Sequence, residues 1–109
     1  KVEIWSNKPK RDFIFTEDAA DAVLRILETD FTGIVNLGSG RMSSLKLISE
    51  IIQDLSGKKI ISKDKVVSGP MEFNTNIKKI SEVADWEPKF DIKKGLEKTF
   101  KIMKSYYLK

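Results

Sequence analysis

One junction near the start of the chain constrains the fold more than any other feature. A short apolar, β-prone run predicts a strand over Asp12–Phe15. An alanine-rich stretch directly after it predicts a helix from about Glu17 to Glu28. Glu17 and Asp18 lie where acidic side chains complement the helix dipole. Thr16 or Asp18 is expected to accept hydrogen bonds from the first helical amides. The pattern therefore predicts a strand that turns directly into a helix.

Turn and cap residues divide the rest of the chain into further strands and helices. Strands are predicted over Val2–Trp5, over Ile34–Leu37 and around Ile60 and Ile61. Apolar stripes predict three more helices. Their expected N-terminal caps are Ser43, Asn76 and Asp91, and Gly57 is expected to end the first of the three. We expect an α/β fold: one small mixed domain over residues 1–109, with a few short strands and about four helices.

The composition fits a globular protein and excludes several kinds of site. Of 109 residues, 40% are hydrophobic and 33% charged, with no cysteine or histidine, so disulfides and the usual zinc ligands are absent. The net charge of +4 comes mainly from lysines spread along the chain, whereas nucleic-acid binding favours clustered arginines and aromatics. No apolar run reaches the length of a membrane span. We expect a cytoplasmic protein with no metal site, nucleic-acid partner or membrane contact.

Two later motifs follow the junction in a set order. The first is Val35-Asn36-Leu37-Gly38-Ser39-Gly40, and the second is Ala84-Asp85-Trp86-Glu87-Pro88-Lys89-Phe90, followed by Lys94-Gly95-Leu96. With Arg11-Asp12-Phe13-Ile14-Phe15 at the junction, they resemble the C-terminal part of the extended short-chain dehydrogenase/reductases, the nucleotide-sugar epimerases and dehydratases. The resemblance covers nearly the whole chain. It implies the substrate-binding portion of a Rossmann-type enzyme.

Two motifs that this family uses are missing from the sequence. There is no G-x-x-G-x-x-G, and Gly38 and Gly40 lack the third glycine of a dinucleotide turn. There is also no Tyr-x-x-x-Lys pair for proton transfer. The resemblance implies that NAD or NADP and the catalytic residues belong to an N-terminal Rossmann domain outside this chain, which is expected to be inert alone. The chain begins at Lys1 within a predicted strand and is interpreted as a C-terminal fragment.

Arg11 is the main candidate for substrate binding. The resemblance implies that it contacts the phosphates of a nucleotide-sugar, and a planar fork of donors suits a diphosphate. From the residues alone, the other interpretation is a surface arginine paired with Glu17, Asp18 or another carboxylate. We favour the phosphate role.

A second cation is harder to place. The family often carries another basic residue in the stretch that corresponds to Ser68–Asn74, where this sequence has Glu72 and Phe73 instead. Either Lys65 or Lys78 takes over that role, or the substrate differs, or this sequence has diverged from the family and lost the residue.

Three other motifs have structural explanations that we favour. Asp18 is assigned to helix capping. The Asn36–Gly40 turn is interpreted as a glycine turn after a buried strand, rather than as a phosphate nest. Trp86 and Pro88 are interpreted as core and helix-stop residues, although aromatic side chains also stack on bases.

These features predict the nucleotide-sugar-binding domain of an NAD(P)-dependent epimerase or dehydratase. The alternative is a stand-alone, non-enzymatic module that binds a protein partner or an anionic ligand. The helix over residues 17–28 is apolar around much of its circumference. This predicts an exposed face that the missing domain would cover in the intact enzyme, or that drives self-association of the isolated chain. The sugar, the nucleotide, the reaction type, the choice between NAD and NADP and the oligomeric state stay open.

Overall fold

Four helices and four short strands make up the regular structure of residues 1–108, the part of the chain that this computed structural model describes. In chain order they are β1 (Val2–Ile4), β2 (Lys10–Asp12), α1 (Thr16–Leu27), β3 (Met42–Ser44), α2 (Leu45–Ser56), β4 (Ile60–Ser62), α3 (Lys78–Ala84) and α4 (Ile92–Tyr107). The predicted class, a mixed α/β fold with a few short strands and four helices, is confirmed.

The strands pair in two separate ribbons. β1 and β4 run parallel. β2 and β3 are antiparallel, and Arg11 lies directly opposite Ser43. A third segment lies along β2, because the Lys10 N–H donates to the Met71 carbonyl at 2.7 Å and the Phe73 N–H donates to the Lys10 carbonyl at 3.1 Å. The second ribbon therefore gathers three distant parts of the sequence around Arg11.

The ends of two helices follow local sequence signals. Asp91 caps α4, as predicted, and Gly57 ends α2 in a left-handed conformation with φ at 69°, where glycine carries no Cβ penalty. Ser44 caps α2 by accepting a hydrogen bond from the Leu47 N–H at 3.0 Å. The predicted cap, Ser43, is thus displaced by one residue.

The start of α1 differs from its prediction. The helix begins at Thr16, behind Phe15, and no side chain caps it. The Asp18 carboxylate instead accepts hydrogen bonds from the N–H groups of Lys89 and Phe90, each at 3.0 Å. Asp18 is structural, as predicted, but its assignment as a cap is wrong because amides far along the chain take up both of its oxygens.

Two predicted strands are not formed as expected. β2 ends at Asp12, because β3 begins at Met42 directly after a turn in which Gly40 has φ at 77°. Ile34–Leu37 has no strand beside it within residues 1–108. Val35 and Leu37 pack against the core instead, whereas Ile34 is 84% exposed. Backbone donors and acceptors need a neighbouring strand to form a ladder. A β-prone run without that neighbour stays irregular.

The core is small and lies mainly between α1 and α3, which pack together as α2 and α4 do. Its buried apolar cluster consists of Ala22, Ile80, Ala84 and Trp86. Trp86 is only 2% exposed, so its interpretation as a core residue is confirmed. Its indole N–H has no acceptor among the described residues.

One face of α1 is apolar and open to solvent. Val23 is 49% exposed, Leu24 61% and Leu27 74%, and Ala20 is exposed beside them. The predicted exposure of this face is therefore confirmed, while its partner stays a prediction. None of the helices described for residues 1–108 has the length and apolar character required to cross a membrane.

Candidate functional site

One carboxylate organises the turn that precedes β3. Asp12 accepts hydrogen bonds from the Ser39 N–H at 2.8 Å, from the Ser39 hydroxyl at 2.6 Å and from the Gly40 N–H at 2.9 Å. The amides that would form a phosphate nest already bind this side chain. The segment is therefore a structural turn rather than a phosphate nest, as predicted, but the buried strand expected before it is not formed.

Arg11 lies in the middle of β2 and is half-buried. Its Nη1 donates to the Lys10 carbonyl at 2.9 Å, and within residues 1–108 no carboxylate forms an ion pair with it. Glu17 pairs with Lys98 at 2.9 Å, and Asp18 binds backbone amides. The alternative interpretation, in which Arg11 pairs with Glu17 or Asp18, is wrong. Most of the guanidinium donors are open to a ligand.

A cleft of about 320 Å³, which we call the Arg41 cleft, borders β3 next to Arg11. Its walls include Phe13, Arg41, Ser43, Lys89, Phe90 and Asp91. Ser43 stands opposite Arg11 in the ladder, and directly opposed residues have Cβ atoms roughly 5 Å apart. Arg11 does not itself line the cleft, but its ladder partner Ser43 does. Sequence reasoning did not single out Arg41, because only the folded chain shows that it lines a cleft with Ser43, the ladder partner of Arg11.

Lys65 lies beside an exposed tryptophan. Its Nζ is 5.6 Å from the centroid of the Trp5 ring, and its backbone N–H donates to the Trp5 carbonyl at 2.8 Å. Trp5 is 65% exposed, so much of the ring is open to a ligand. Sequence reasoning missed Trp5, since an aromatic residue at the end of an apolar strand is usually part of a core. Its only signal was its closeness in sequence to Arg11.

Lys78 belongs to a different part of the surface. It begins α3, and its N–H donates to Asn76 Oδ1 at 3.0 Å. With Asn36 and Asn76 it lines a shallow groove on that helix. Neither Lys78 nor Lys65 lines the Arg41 cleft, so the structure does not gather the three predicted cations in one cavity.

The described residues offer hydrogen-bond donors for an anion rather than ligands for a metal. Within residues 1–108, no group of three or more carboxylates is placed to hold a metal ion. A guanidinium without a carboxylate partner suits a phosphate, because its charge-assisted hydrogen bonds are short and paired. The arrangement around Arg11 is therefore suited to binding a phosphorylated ligand.

Known proteins with similar sequences and structures are sugar-nucleotide enzymes. Probable GDP-L-fucose synthase 1 of Oryza sativa subsp. japonica is 31% identical over 107 residues, which cover 93% of this chain and 32% of that protein. UDP-glucose 4-epimerase of Thermotoga maritima, solved with UDP-glucose, shares the fold with a TM-score of 0.86 over 97% of this chain and 35% of that one, at 22% identity. This chain is homologous to part of the nucleotide-sugar epimerases and dehydratases.

The predicted resemblance to these extended short-chain dehydrogenase/reductases is thus confirmed. A further structure, UDP-glucuronic acid 4-epimerase of Bacillus cereus with UDP-glucuronic acid and NAD, has a TM-score of 0.81 at 24% identity and covers 96% of this chain and 35% of that one. No protein-family model matches the chain. The chain spans about a third of the length of these sugar-nucleotide enzymes.

Proposed function

We propose that this chain is the nucleotide-sugar-binding domain of an NAD- or NADP-dependent epimerase or dehydratase. Homology to part of such enzymes supports the assignment, and so does the fold shared with an epimerase that was solved with its nucleotide-sugar. The domain is the C-terminal part of the enzyme. It packs against an N-terminal Rossmann domain, which holds the cofactor.

The observation that carries the proposal is that Arg11 is held in a strand and has no carboxylate partner within residues 1–108. It is half-buried in a strand, so its backbone is held in place. Its guanidinium makes one hydrogen bond, to a neighbouring carbonyl, and no ion pair within residues 1–108. An arginine that is fixed in position but lacks a carboxylate is suited to grip a diphosphate through two parallel hydrogen bonds.

Trp5 and Lys65 are the proposed contacts of the nucleotide base. An exposed indole ring offers an apolar face on which a nucleotide base stacks. The Lys65 ammonium beside it, 5.6 Å from the ring centroid, adds a positive charge for a phosphate next to the base. Of the two weaker candidates, Lys65 is favoured over Lys78, which lies on α3 without an aromatic neighbour of this kind.

The division of labour in the intact enzyme follows from these positions. The bound nicotinamide supplies hydride transfer at a carbon of the sugar. This chain binds the diphosphate and thereby orients the sugar toward the other domain, since a fixed geometry lowers the entropic part of the barrier. On its own the chain binds no dinucleotide and is catalytically inert.

The test is the Arg11→Ala variant of the full-length protein, titrated by calorimetry with UDP-glucose and GDP-mannose. Loss of a charge-assisted, bidentate contact costs on the order of 1.5–3 kcal/mol. We therefore expect the Kd of whichever nucleotide-sugar binds to rise at least about tenfold. The melting temperature should stay nearly unchanged, because the side chain makes a single hydrogen bond to the protein.

Lys58→Ala is the matched control. Lys58 is exposed in the loop after α2, so this variant removes one positive charge without touching the β2–β3 ribbon. Its Kd should equal that of the unaltered protein. An unchanged Kd in Arg11→Ala, or a protein that unfolds, would show that Arg11 is structural.

A further inference from the structure

We propose that Arg41 is a second phosphate-binding residue, which acts with Arg11 on the same diphosphate across the Arg41 cleft. The inference rests on the proposed function and assigns a residue to the same site. The sugar-nucleotide would lay its diphosphate along the outer side of the β2–β3 ribbon, between the two guanidinium groups.

The register of the ribbon brings the two arginines together. Arg11 pairs with Ser43, and Arg41 stands two residues before Ser43, directly before β3 begins at Met42. Both Arg41 and Ser43 line the cleft. Diagonal neighbours on paired strands lie roughly 7–8 Å apart, within reach of long side chains, and Arg41 takes the next such position past the last pair of the ladder, Asp12 with Met42. Two guanidinium groups at this spacing suit the two phosphates of a diphosphate.

The polar groups of the cleft are mainly donors. Within residues 1–108, no carboxylate pairs with Arg41 or Lys89. Asp91 is the single acid among the lining residues, and it already caps α4 by accepting a hydrogen bond from the Lys94 N–H at 2.8 Å. Arg41 and Lys89 carry two positive charges in the cleft wall, and the one carboxylate there is already hydrogen-bonded. The cleft is therefore suited to an anion.

A single side chain fixes the spacing of both arginines. Asp12 follows Arg11 directly and holds the amides of Ser39 and Gly40, at 2.8 and 2.9 Å, just before Arg41. Ser39 also holds the backbone of Arg41, whose N–H donates to the Ser39 hydroxyl at 3.2 Å. Groups that are placed before the ligand arrives lose less entropy on binding.

The segment beside β2 offers no cation for this role. It runs along Lys10 through Met71 and Phe73, and its charged residue is Glu72, whose carboxylate lies 3.7 Å from Lys10 Nζ. Glu72 therefore offsets the positive charge of Lys10 on that side. The unpaired positive charge lies on the other side of Arg11, at Arg41 and Lys89.

The experiment compares Arg41→Ala, Arg41→Lys, Arg11→Ala and the double variant of the full-length protein, titrated with UDP-glucose and GDP-mannose. We expect Arg41→Ala to raise the Kd about fivefold or more, and Arg41→Lys to recover part of the loss because it keeps the charge but not the fork. In the double variant the two losses should not add, because the arginines share one ligand. Raising the salt concentration should shrink the effect of Arg41→Ala.

Each other outcome overturns a distinct claim. If Arg11→Ala weakens binding and Arg41→Ala does not, the role of Arg41 is excluded and the proposed function stands. If neither variant weakens binding, or if neither nucleotide-sugar binds, both fall. Should Arg41→Ala lower the melting temperature, Arg41→Gln, which keeps an unbranched polar side chain but not the charge, decides: unchanged affinity in that variant excludes a phosphate contact. Lys58→Ala is again the control for charge.

Discussion

Asp18 is an acidic residue in the first turn of α1 whose partners lie near the other end of the chain. It is 3% exposed, and it accepts hydrogen bonds from the amides of Lys89 and Phe90, 71 and 72 residues away. Beside this contact the rings of Phe15 and Phe90 lie 4.6 Å apart. One side chain thus fixes the loop between α3 and α4 onto α1, and with it one wall of the Arg41 cleft.

Replacing Asp18 by alanine should destabilise the protein by about 2–3 kcal/mol, because two amides lose a charged acceptor. The loss of stability in Asp18→Asn should lie between zero and the loss in Asp18→Ala, since the asparagine side chain offers only one acceptor oxygen. Asp21→Ala is the matched control on the same helix: it removes an exposed pair with Arg25, at 3.2 Å, and should cost less than about 1 kcal/mol. Urea unfolding measures the three values, and equal losses in Asp18→Ala and Asp21→Ala would contradict the role of Asp18.

The sequence predicts a residue's role when its partners are close in the chain. Gly57 and Asp91 act on groups within four residues, and both were placed correctly. Asp18 was expected to act locally as well, because nothing in the pattern around it records an amide on a distant loop. Trp5 was missed for a related reason: whether an aromatic at the end of a strand is buried depends on what covers that strand.

At the scale of elements, the turn over Gly38–Gly40 joins the ribbon to the loop before α3. A Cβ on Gly38 would lie 2.6 Å from Thr75 Cβ and 2.8 Å from Asp12 Oδ2, both far inside van der Waals contact. The turn therefore approaches its neighbours more closely than any residue with a side chain would allow. This approach keeps Asp12 in place and thereby the spacing between Arg11 and Arg41.

Gly38→Ala should destabilise the protein by on the order of 1–3 kcal/mol, because overpacking forces neighbouring groups to shift. It should also weaken nucleotide-sugar binding, since the shift reaches Asp12. Gly95→Ala is the comparison: its Cβ would lie 3.4 Å from Phe15 Cβ, an ordinary contact, inside α4. Alanine is more favourable than glycine in a helix interior by up to about 1 kcal/mol, so the Gly95→Ala protein should be as stable as the unaltered one or slightly more stable. Thermal unfolding and calorimetry measure both, and a Gly38→Ala protein that behaves like Gly95→Ala would contradict the argument.

Helices were predicted better than strands because a helix satisfies its backbone internally. The apolar stripes predicted both α2 and α4, and Gly57 and Asp91 placed one end of each. The run over Ile34–Leu37 had the composition of a strand but no strand beside it within residues 1–108. The candidate site divides in the same way: the motif around Arg11 identified that residue, whereas Arg41 depended on the register of β2 against β3.

The whole molecule is extended rather than round. Its radius of gyration is 16.1 Å, with extents of 49 by 37 by 17 Å, whereas a compact domain of this length has about 13 Å. A thin body buries few side chains, and the buried apolar residues of the described chain are Phe15, Ala22, Ile80, Ala84 and Trp86. Much apolar surface is left facing solvent, most of all on α1. A thin body of this kind leaves apolar surface available for packing against a second one.

The face of α1 formed by Ala20, Val23, Leu24 and Leu27 should therefore drive association of the 109-residue chain when it is studied alone. Leu24 and Leu27 are 61% and 74% exposed and lie on one side of the helix. Lysine at both positions should shift sedimentation toward the monomer across a concentration series, without loss of stability, because exposed positions tolerate substitution. Val66→Lys adds a charge at a residue that is 97% exposed in a loop and should leave association unchanged. A chain that is monomeric at every concentration would show that this face is not an association surface, and the case for a second body packed on α1 would lose its physical basis.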